Sequence, residues 1–274
     1  MEVLLKILMV FFDVLQIVVA IYILIPFSFS LIYIFIKLFH IKTAYTQKKS
    51  TTARDFEFGI IITAHQDTDF IGPLIDSIEK QSFKNYYVYI VADDCDITSM
   101  NFKSERINLL RPATPLHSKV KSIQYALTSF SKDHDAIIIL DADNLIHPSF
   151  LEVMNKYFQR GYKVVQAGFK PKNTSTNFAR MDAIGDLFNF FIEREVRMMI
   201  GLSATIWGSG IAIDYEIYKE VKYSDFLGGF DKKLQAHLVQ RVDKIAFAPD
   251  AILFDEKIST GTSLENQRTR WINS

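Results

Sequence analysis

Residues 136–143 read AIIILDAD, a run of five apolar residues that ends in two aspartates separated by one alanine. A strand that is apolar at every position is typical of a parallel sheet covered by helices on both faces. Asp141 and Asp143 lie two positions apart and therefore leave an extended segment on the same side. Their carboxylates can share one divalent cation, although an isolated Asp-X-Asp is more often a solvated turn or a helix cap.

The same arrangement recurs along the chain from residue 58 onward. Apolar runs of strand length (FGIIIT, YVYIVA and AIIIL) alternate with stretches of amphipathic helical spacing (FIGPLIDSIEKQ and SKVKSIQYALTSF). This order predicts an α/β fold with a mostly parallel sheet flanked by helices. Polar residues follow three of the runs, at 63–67, 93–94 and 141–143. Because ligands bind at the carboxyl ends of the strands in such sheets, we expect these ends to line one crevice.

The composition excludes several kinds of partner and site. The 274 residues include 31 Lys+Arg and 31 Asp+Glu, so the formal net charge is zero and we expect no nucleic-acid partner. Cys95 is the only cysteine, which excludes an internal disulfide framework and a multi-cysteine zinc site. The sequence has no glycine-rich loop of the kind that cradles a phosphate, so a bound phosphate would need a metal ion or basic side chains.

The N-terminal part of the chain is apolar enough to enter a membrane. Residues 14–36 carry no charge, and at 1.5 Å per residue they can cross a hydrocarbon core of about 30 Å as one helix. A cleaved signal peptide would have a shorter apolar region and a small-residue cleavage site, whereas this run ends in Lys37-Leu38-Phe39-His40. A buried core helix is the other alternative. We predict a single-pass anchor over residues 1–40, a linker over 41–57 and one globular domain over 58–274.

The distribution of basic residues predicts the orientation of that anchor. Lys6 is the only basic residue before the apolar run, whereas a set of basic residues follows it: Lys37, Lys42, Lys48, Lys49 and Arg54. Because loops rich in Lys and Arg stay in the cytoplasm, the domain after the anchor is expected on the cytoplasmic side of the cell membrane.

Several segments occur in an order that is specific when they are taken together. They are IIITAHQDTDFIGPLIDSI, IVADDCD, LHSKVKSIQYAL, LDAD, IWGSGIAIDYEIYKEV, FDKKLQAHL and QRTRW. Residues 58–273 thereby resemble the inverting family 2 glycosyltransferases, in particular the membrane-anchored branch with cellulose, hyaluronan and poly-N-acetylglucosamine synthases. The resemblance implies a nucleotide-binding, GT-A-like fold.

The resemblance also implies the residues that bind a UDP-sugar donor. Asp93 matches the aspartate that contacts the uracil, and the whole implied donor set is Ala64, His65, Asp67, Asp93, Lys119, Asp141 and Arg270. Asp141 and Asp143 match the metal-binding Asp-X-Asp, so Mg²⁺ or Mn²⁺ is the implied cofactor. In these donor segments the chain departs from the family pattern, with Thr63 for Pro, Gln66-Asp67 for Asn-Glu, Ser118 for Gly and Gln124 for Asn.

The acceptor side and the catalytic base follow from the later segments. Asp231 matches the catalytic base, although Phe230 stands where the family has Glu. The implied acceptor-binding residues are Gly208, Ser209, Gly210, Gln267 and Trp271. Gln267, Arg270 and Trp271 lie at i, i+3 and i+4 and so on one face of a predicted C-terminal helix, where a Trp packed on an Arg stem is also a common structural arrangement.

Several functional hypotheses remain open on the sequence. The first is transfer of a sugar from a UDP-sugar to a hydroxyl acceptor during polysaccharide synthesis. Single transfer to a saccharide or lipid acceptor, a sugar-phosphate nucleotidyltransferase, and a catalytically silent subunit that supports a partner synthase are the alternatives. We also expect the C-terminal helix to need bracing by other membrane-associated segments or by a partner membrane subunit, because few apolar residues hold it.

Overall fold

The computed structural model describes residues 2–41, 43, 50, 52–98, 100–223 and 229–272. The strands are β1 (Phe58–His65), β2 (Tyr86–Asp93), β3 (Ile107–Leu110), β4 (Ala136–Asp141), β5 (Leu145–Ile146), β6 (Val164–Pro171), β7 (Ile211–Asp214) and β8 (Ala246–Asp255). They form one sheet in the order β3-β2-β1-β4-β7-β6-β8-β5.

The predicted parallel sheet is present in the first half of the domain. β1 pairs in parallel with β2 and with β4, and β2 pairs in parallel with β3. Residues 60–62 of β1 and 137–140 of β4 are fully buried, as their continuous apolar sequences require. The register places His65 opposite Asp93 and Thr63 opposite Asp141, so the polar strand ends meet at one edge of the sheet.

The second half of the sheet is mixed. β7 lies between β4 and β6 and is antiparallel to both, while β6 pairs in parallel with β8 and β5 is antiparallel to β8. In the described part of the chain, four of the seven strand pairs are parallel, which confirms a mostly parallel sheet. The antiparallel pairs are absent from the sequence prediction because β7 has only four residues and β5 only two.

The described residues also form helices, most of which flank the sheet. They are α1 (Glu2–Leu38), α2 (Ile71–Glu79), α3 (Lys119–Thr128), α4 (Phe150–Gln159), α5 (Asn177–Phe190), α6 (Arg197–Met199), α7 (Tyr215–Lys219), α8 (Phe230–Leu238) and α9 (Gly261–Ile272), with a π-helical turn (Phe191–Val196) between α5 and α6. α2 shows why they pack: Ile71, Leu74, Ile75 and Ile78 recur at helical spacing and are all buried.

α1 is long and apolar enough to cross a membrane, and its most apolar window is not buried against the rest of the protein. Near its C-terminal end the Tyr33 ring packs edge-on against Phe191, with centroids 5.1 Å apart, and the Tyr33 hydroxyl donates to the Glu195 carboxylate at 2.5 Å. The helix is therefore attached to the domain at the π-helical turn. Of the predicted linker, Phe56 is buried and its backbone N–H donates to the Asn155 side chain at 2.9 Å.

Candidate active site

The first corner of the site lies where β1 and β2 end. Asp93 is only 1% exposed, and its carboxylate accepts hydrogen bonds from the backbone N–H groups of Leu116 (2.7 Å) and His117 (2.9 Å). The Nδ1 atom of His65 lies 3.1 Å from the same carboxylate, and Ala64 is buried beside it in β1. The predicted donor residues Ala64, His65 and Asp93 therefore lie together, and the Asp93 carboxylate is fixed before any ligand binds.

Asp67 occupies a different position. Its carboxylate is exposed and accepts from the backbone N–H of Asp69 at 2.9 Å, within the turn that precedes α2. This contact is the usual way in which an aspartate stabilises a turn. Among the described residues, no hydrogen bond links Asp67 to Asp93.

The second corner lies at the end of β4. The Lys119 ammonium donates to the Asp141 carboxylate, and the Asp141 backbone N–H donates to the Asn144 side chain and to the Ser209 hydroxyl, both at 3.0 Å. The Ser209 hydroxyl also donates to the Asn144 side chain, which is fully buried. These bonds join the predicted metal ligand Asp141, the predicted donor residue Lys119 and the predicted acceptor segment at Ser209.

Asp143 lies in a half-buried group of carboxylates that includes a residue from the far end of the chain. The Asn144 amide donates to the Asp143 carboxylate at 3.3 Å and to the Asp255 carboxylate at 3.1 Å. Burial and the neighbouring Asp141 and Asp255 carboxylates raise the pKa of Asp143 to about 6. Burial likewise raises the pKa of Asp255, against the opposing effect of the Lys257 ammonium. Negative charge is thus concentrated beyond what the local cations neutralise.

This group of residues fits a divalent cation. Mg²⁺ and Mn²⁺ prefer hard oxygen ligands, and Asp141 and Asp143 supply two carboxylates on one side of an extended segment. The raised pKa of Asp143 reports a position where added positive charge would be favourable. Asn144 holds the Asp143 carboxylate from behind by a hydrogen bond, and Asp255 in turn accepts from Asn144, as outer residues of metal sites commonly do.

Buried ion pairs continue from this group toward α5. The Lys257 ammonium is only 3% exposed and contacts the Asp255 carboxylate at 2.7 Å as well as the Asp186 carboxylate. Although burial alone would lower it, the two carboxylates raise the pKa of Lys257 overall, so this lysine stays charged. Lys172 donates to the Asp143 carbonyl at 3.1 Å and adds a second cation next to the group.

The predicted acceptor segment is held tightly against the sheet. The buried Gln166 side chain donates to the backbone carbonyls of Ser209 (3.0 Å) and Gly210 (3.1 Å). It also accepts from the backbone N–H of Trp207 at 2.7 Å. Gly210 has φ +62°, and a side chain there would approach Phe169 to 3.0 Å, so only glycine fits this position. The segment is thereby fixed across β6, β7 and the end of β4.

Gly208 opens onto the helix that carries the predicted base. A Cβ added to Gly208 would lie 3.7 Å from both the Lys119 ammonium and the Phe230 ring, so these two side chains border the same crevice. Phe230 and Asp231 begin α8, and Asp231 is half-buried. The helix that carries Asp231 therefore begins at the border of this crevice, next to Phe230.

A buried arginine lies below the acceptor segment. Arg194, in the π-helical turn, is fully buried, with its guanidinium 4.6 Å from the Phe190 ring centroid and 4.7 Å from that of Trp207. One N–H group donates to the Asn189 carbonyl at 3.3 Å, while Nε and Nη2 have no partner among the described residues. Burial lowers the pKa of Arg194 to about 9, and Asp231 is one of the carboxylates that oppose this shift. The arginine is thus a buried positive charge near the predicted base.

The predicted C-terminal helix is present as α9. Arg268 donates to the Asp182 carboxylate of α5 at 2.8 Å. The side-chain amide oxygen of Gln267 is buried and has no partner among the described residues. Arg270 and Trp271 are within the helix, but their side chains lie outside the described part of the chain. α5 therefore braces α9 directly, which the sequence did not predict.

Sequence reasoning missed Asn144, Asp255 and Lys257. A signal for Asp255 was available, since AILFD (251–255) repeats the apolar-to-aspartate transition of IIILD (137–141). No comparable signal marked Arg194, because α5 and the π-helical turn have no clear inward apolar stripe.

Comparisons with known proteins are consistent with this geometry. The model of the family described as glycosyltransferase like family 2 matches residues 55–274. No curated protein matches the chain in sequence.

Solved structures share the fold. Mannosyltransferase PcManGT from Pyrobaculum calidifontis, in complex with GDP-Man and Mn²⁺, is 15% identical with a TM-score of 0.60, covering 89% of this chain and 69% of that one. S. aureus TarS 1-349 is 14% identical with a TM-score of 0.54, covering 73% of this chain. The same fragment in complex with UDP-GlcNAc is 14% identical with a TM-score of 0.55 over 74% of this chain. The chain spans about 60% of the length of these TarS structures.

Proposed function

The chain belongs to the glycosyltransferase like family 2, and from that membership we propose an inverting, metal-dependent enzyme that transfers a sugar from a UDP-sugar to a hydroxyl acceptor at the cell membrane. One observation carries the proposal. The Asp143 and Asp255 carboxylates both accept from Asn144 at the strand ends, and burial together with the Asp141 and Asp255 charges raises the pKa of Asp143 to about 6. A divalent cation there would neutralise these carboxylates and the diphosphate of the donor.

The donor is proposed to bind across β1, β2 and β4. Asp93, held by two backbone N–H groups, would accept from the base, and His65 lines the same corner. Asp141 and Asp143 would hold Mg²⁺ or Mn²⁺, which supplies positive charge to the leaving diphosphate when bound. Lys119 contacts Asp141 and would turn to a phosphate oxygen as the cation takes over that carboxylate. Arg270 is proposed as a further cation for the diphosphate.

The acceptor is proposed to approach from the side of Gly208 and α8. Its hydroxyl oxygen forms the new bond to the anomeric carbon while the bond from that carbon to the UDP oxygen breaks, and Asp231 takes the hydroxyl proton. One displacement inverts the anomeric centre. Ser209 and Gly210 form the rigid wall of the acceptor side through their hydrogen bonds to Gln166, and Gln267 and Trp271 are proposed to contact the acceptor from α9.

The biological role proposed is extension of a polysaccharide, in the branch with cellulose and hyaluronan synthases. The long apolar α1 supports a membrane anchor, with the catalytic domain on the cytoplasmic side. A saccharide or lipid acceptor and a partner membrane subunit fit the same arrangement. The solved relatives bind UDP-GlcNAc and GDP-Man, which supports a nucleotide sugar as donor for this chain.

The test is a donor panel on the full-length protein in membranes. We expect UDP-glucose or UDP-N-acetylglucosamine with Mn²⁺ or Mg²⁺ to give free UDP and labelled polymer or lipid, and Asp141→Asn to give neither. Release of pyrophosphate instead of UDP would identify a nucleotidyltransferase. Binding of UDP without turnover of any donor, alone or with partner membranes, would identify a silent subunit. GDP-mannose is the comparison donor, and its preferred use would overturn the UDP assignment.

A further inference from the structure

The outer face of α5 is apolar and uncovered. The exposed apolar side chains there, each 41 to 65% exposed, are Phe178, Met181, Ile184, Leu187 and Phe188. Their spacing of three and four residues places them along one side of the helix. A helix in a water-soluble protein normally turns such a stripe toward the core, and a continuous exposed stripe marks an interaction surface.

The inward face of the same helix is unusual because it carries charged side chains. It carries Asp182, paired with Arg268 of α9, and Asp186, paired with Lys257. The exposed residues of α5 include no carboxylate, and Arg180 is their one charged member. The apolar stripe of α5 therefore faces away from the protein, with its acids turned inward onto the site and a cation beside the stripe.

The stripe is continuous with the anchor. One turn after Leu187 and Phe188, the ring of Phe191 packs against Tyr33 of α1 at 5.1 Å. α1 presents apolar side chains on all sides, and its most apolar window is not buried. An apolar surface thus runs from α1 through Phe191 onto α5, which extends it by about 20 Å at 1.5 Å per residue.

A mostly apolar cleft opens at this junction. It has a volume of 280 Å³ and lies between β6, β8 and the end of α5. Its lining includes Phe169, Leu187, Phe190, Phe191 and Phe247, together with the charged Lys170 and Glu195. Leu187 belongs to both the cleft and the stripe. The apolar surface at this corner is therefore larger than the helix face alone, and nothing else among the described residues covers it.

We propose that α5 lies along the membrane surface, with this stripe in contact with lipid. The continuity with α1 selects a bilayer rather than a soluble partner, and Arg180 with no exposed carboxylate suits anionic headgroups. The inference rests on the anchor in the proposed function. It adds that the catalytic domain is held against the membrane by a second contact, whose reverse face contacts Lys257 and α9. The acceptor side of the site would then lie close to the lipid surface.

The test measures depth in the bilayer at single labelled positions of the full chain. Met181→Cys and Ile184→Cys report on the stripe, Ile21→Cys on the anchor, and Glu105→Cys, exposed beside β3 at the sheet edge remote from β6, serves as the solvent control. Cys95 is buried, so the unsubstituted protein treated identically gives the background. Each variant carries a fluorophore and is placed in vesicles with a quencher either on the lipid or dissolved in water.

We expect labels at 181 and 184 to lose about half or more of their fluorescence to a lipid-borne quencher near the headgroups, as for a helix about 5–10 Å into the interface. The label at 105 should respond to the aqueous quencher alone. If the labels at 181 and 184 respond only to the aqueous quencher, as the label at 105 does, while the label at 21 is quenched from the lipid, the membrane anchor is supported and this inference is wrong. Shielding from water without quenching by lipid would mean that protein, such as a second copy, covers the face. No lipid quenching at 21 would refute the anchor itself.

Discussion

Asp93 and Asp231 are both proposed to act on the substrates, yet the structure holds them very differently. The Asp93 carboxylate is 1% exposed and accepts from two backbone N–H groups at a strand end. Asp231 is half-buried in the first turn of a short helix, and no hydrogen-bond donor reaches its carboxylate among the described residues. The proposed uracil contact is thus pre-arranged by the sheet, whereas the proposed base depends on a helix packed at the margin of the sheet.

This contrast predicts that substitutions on the donor side abolish binding and those on the acceptor side slow the reaction. The largest effect is expected for Asp143→Ala. Removing one of two carboxylates leaves the cation poorly held, so transfer should fall by at least about a thousandfold and metal-dependent UDP binding should weaken sharply. Asp133→Ala, an exposed aspartate before the other end of β4, is the matched control. Full activity of the Asp143 variant, or of the wild type in EDTA, would contradict the metal assignment.

Asp231→Asn tests the acceptor side of the comparison. The amide keeps the shape of the side chain but cannot take a proton, so turnover should fall by about a hundredfold or more while UDP-sugar binding stays near normal. Turnover and donor affinity are measured on the same preparation, with the exposed Asp243→Asn as control. Loss of donor binding would instead place Asp231 on the donor side and remove the contrast.

Asp255→Asn sharpens the donor side, because this residue lies behind the metal ligands and not beside the substrate. Its charge holds Lys257 at 2.7 Å, and its oxygen accepts from Asn144. Losing the charge should reduce Mn²⁺ affinity by about tenfold or somewhat more, the usual effect of an outer residue at a metal site. A Mn²⁺ titration of UDP binding measures it, with the exposed Asp250→Asn of the same strand as control. Equal affinities for the two variants would show that Asp255 has no such role.

The smallest effect is expected for Asp182→Asn, which removes the ion pair between α5 and α9. Arg268 is 44% exposed, so the pair contributes about 0.2–1 kcal/mol. Amide exchange over residues 263–272 should become faster, and transfer should fall by less than about tenfold. Glu152→Gln, which removes an exposed pair on α4, is the control. Unchanged exchange in α9 would mean that other contacts brace this helix.

The strand-end site was predictable from the sequence because its signals are local. A continuous apolar run followed by aspartates identifies both a buried strand and its polar end, and this was enough to predict that Asp93 and Asp141 lie at one edge of the sheet. Lys119, which contacts Asp141, was implied only by the family resemblance. The predicted C-terminal helix is present as α9.

The remaining residues depend on contacts between distant parts of the chain. Asn144 meets Asp255 only because β5 pairs with β8, and two residues of strand give no recognisable period. The sequence of α5 was not interpreted at all, since its outward face is apolar and its inward face carries two acids, the reverse of the pattern used to recognise a soluble helix. The two acids face inward because Asp182 pairs with Arg268 and Asp186 pairs with Lys257.

The position of β7 has a consequence for synthesis on the ribosome. β4 can pair with β1 as soon as both have emerged, but its other edge, the apolar residues 137–139, is completed only by β7, which is translated after β6 and α5. Until then this edge of β4 and the facing edge of β6 remain open and able to pair with other chains. Nascent chains stalled between β6 and β7 should therefore bind chaperones and aggregate more than chains that contain residues 211–214. The short strand IAID thus joins the two halves of the sheet during translation, and β8 completes it afterwards.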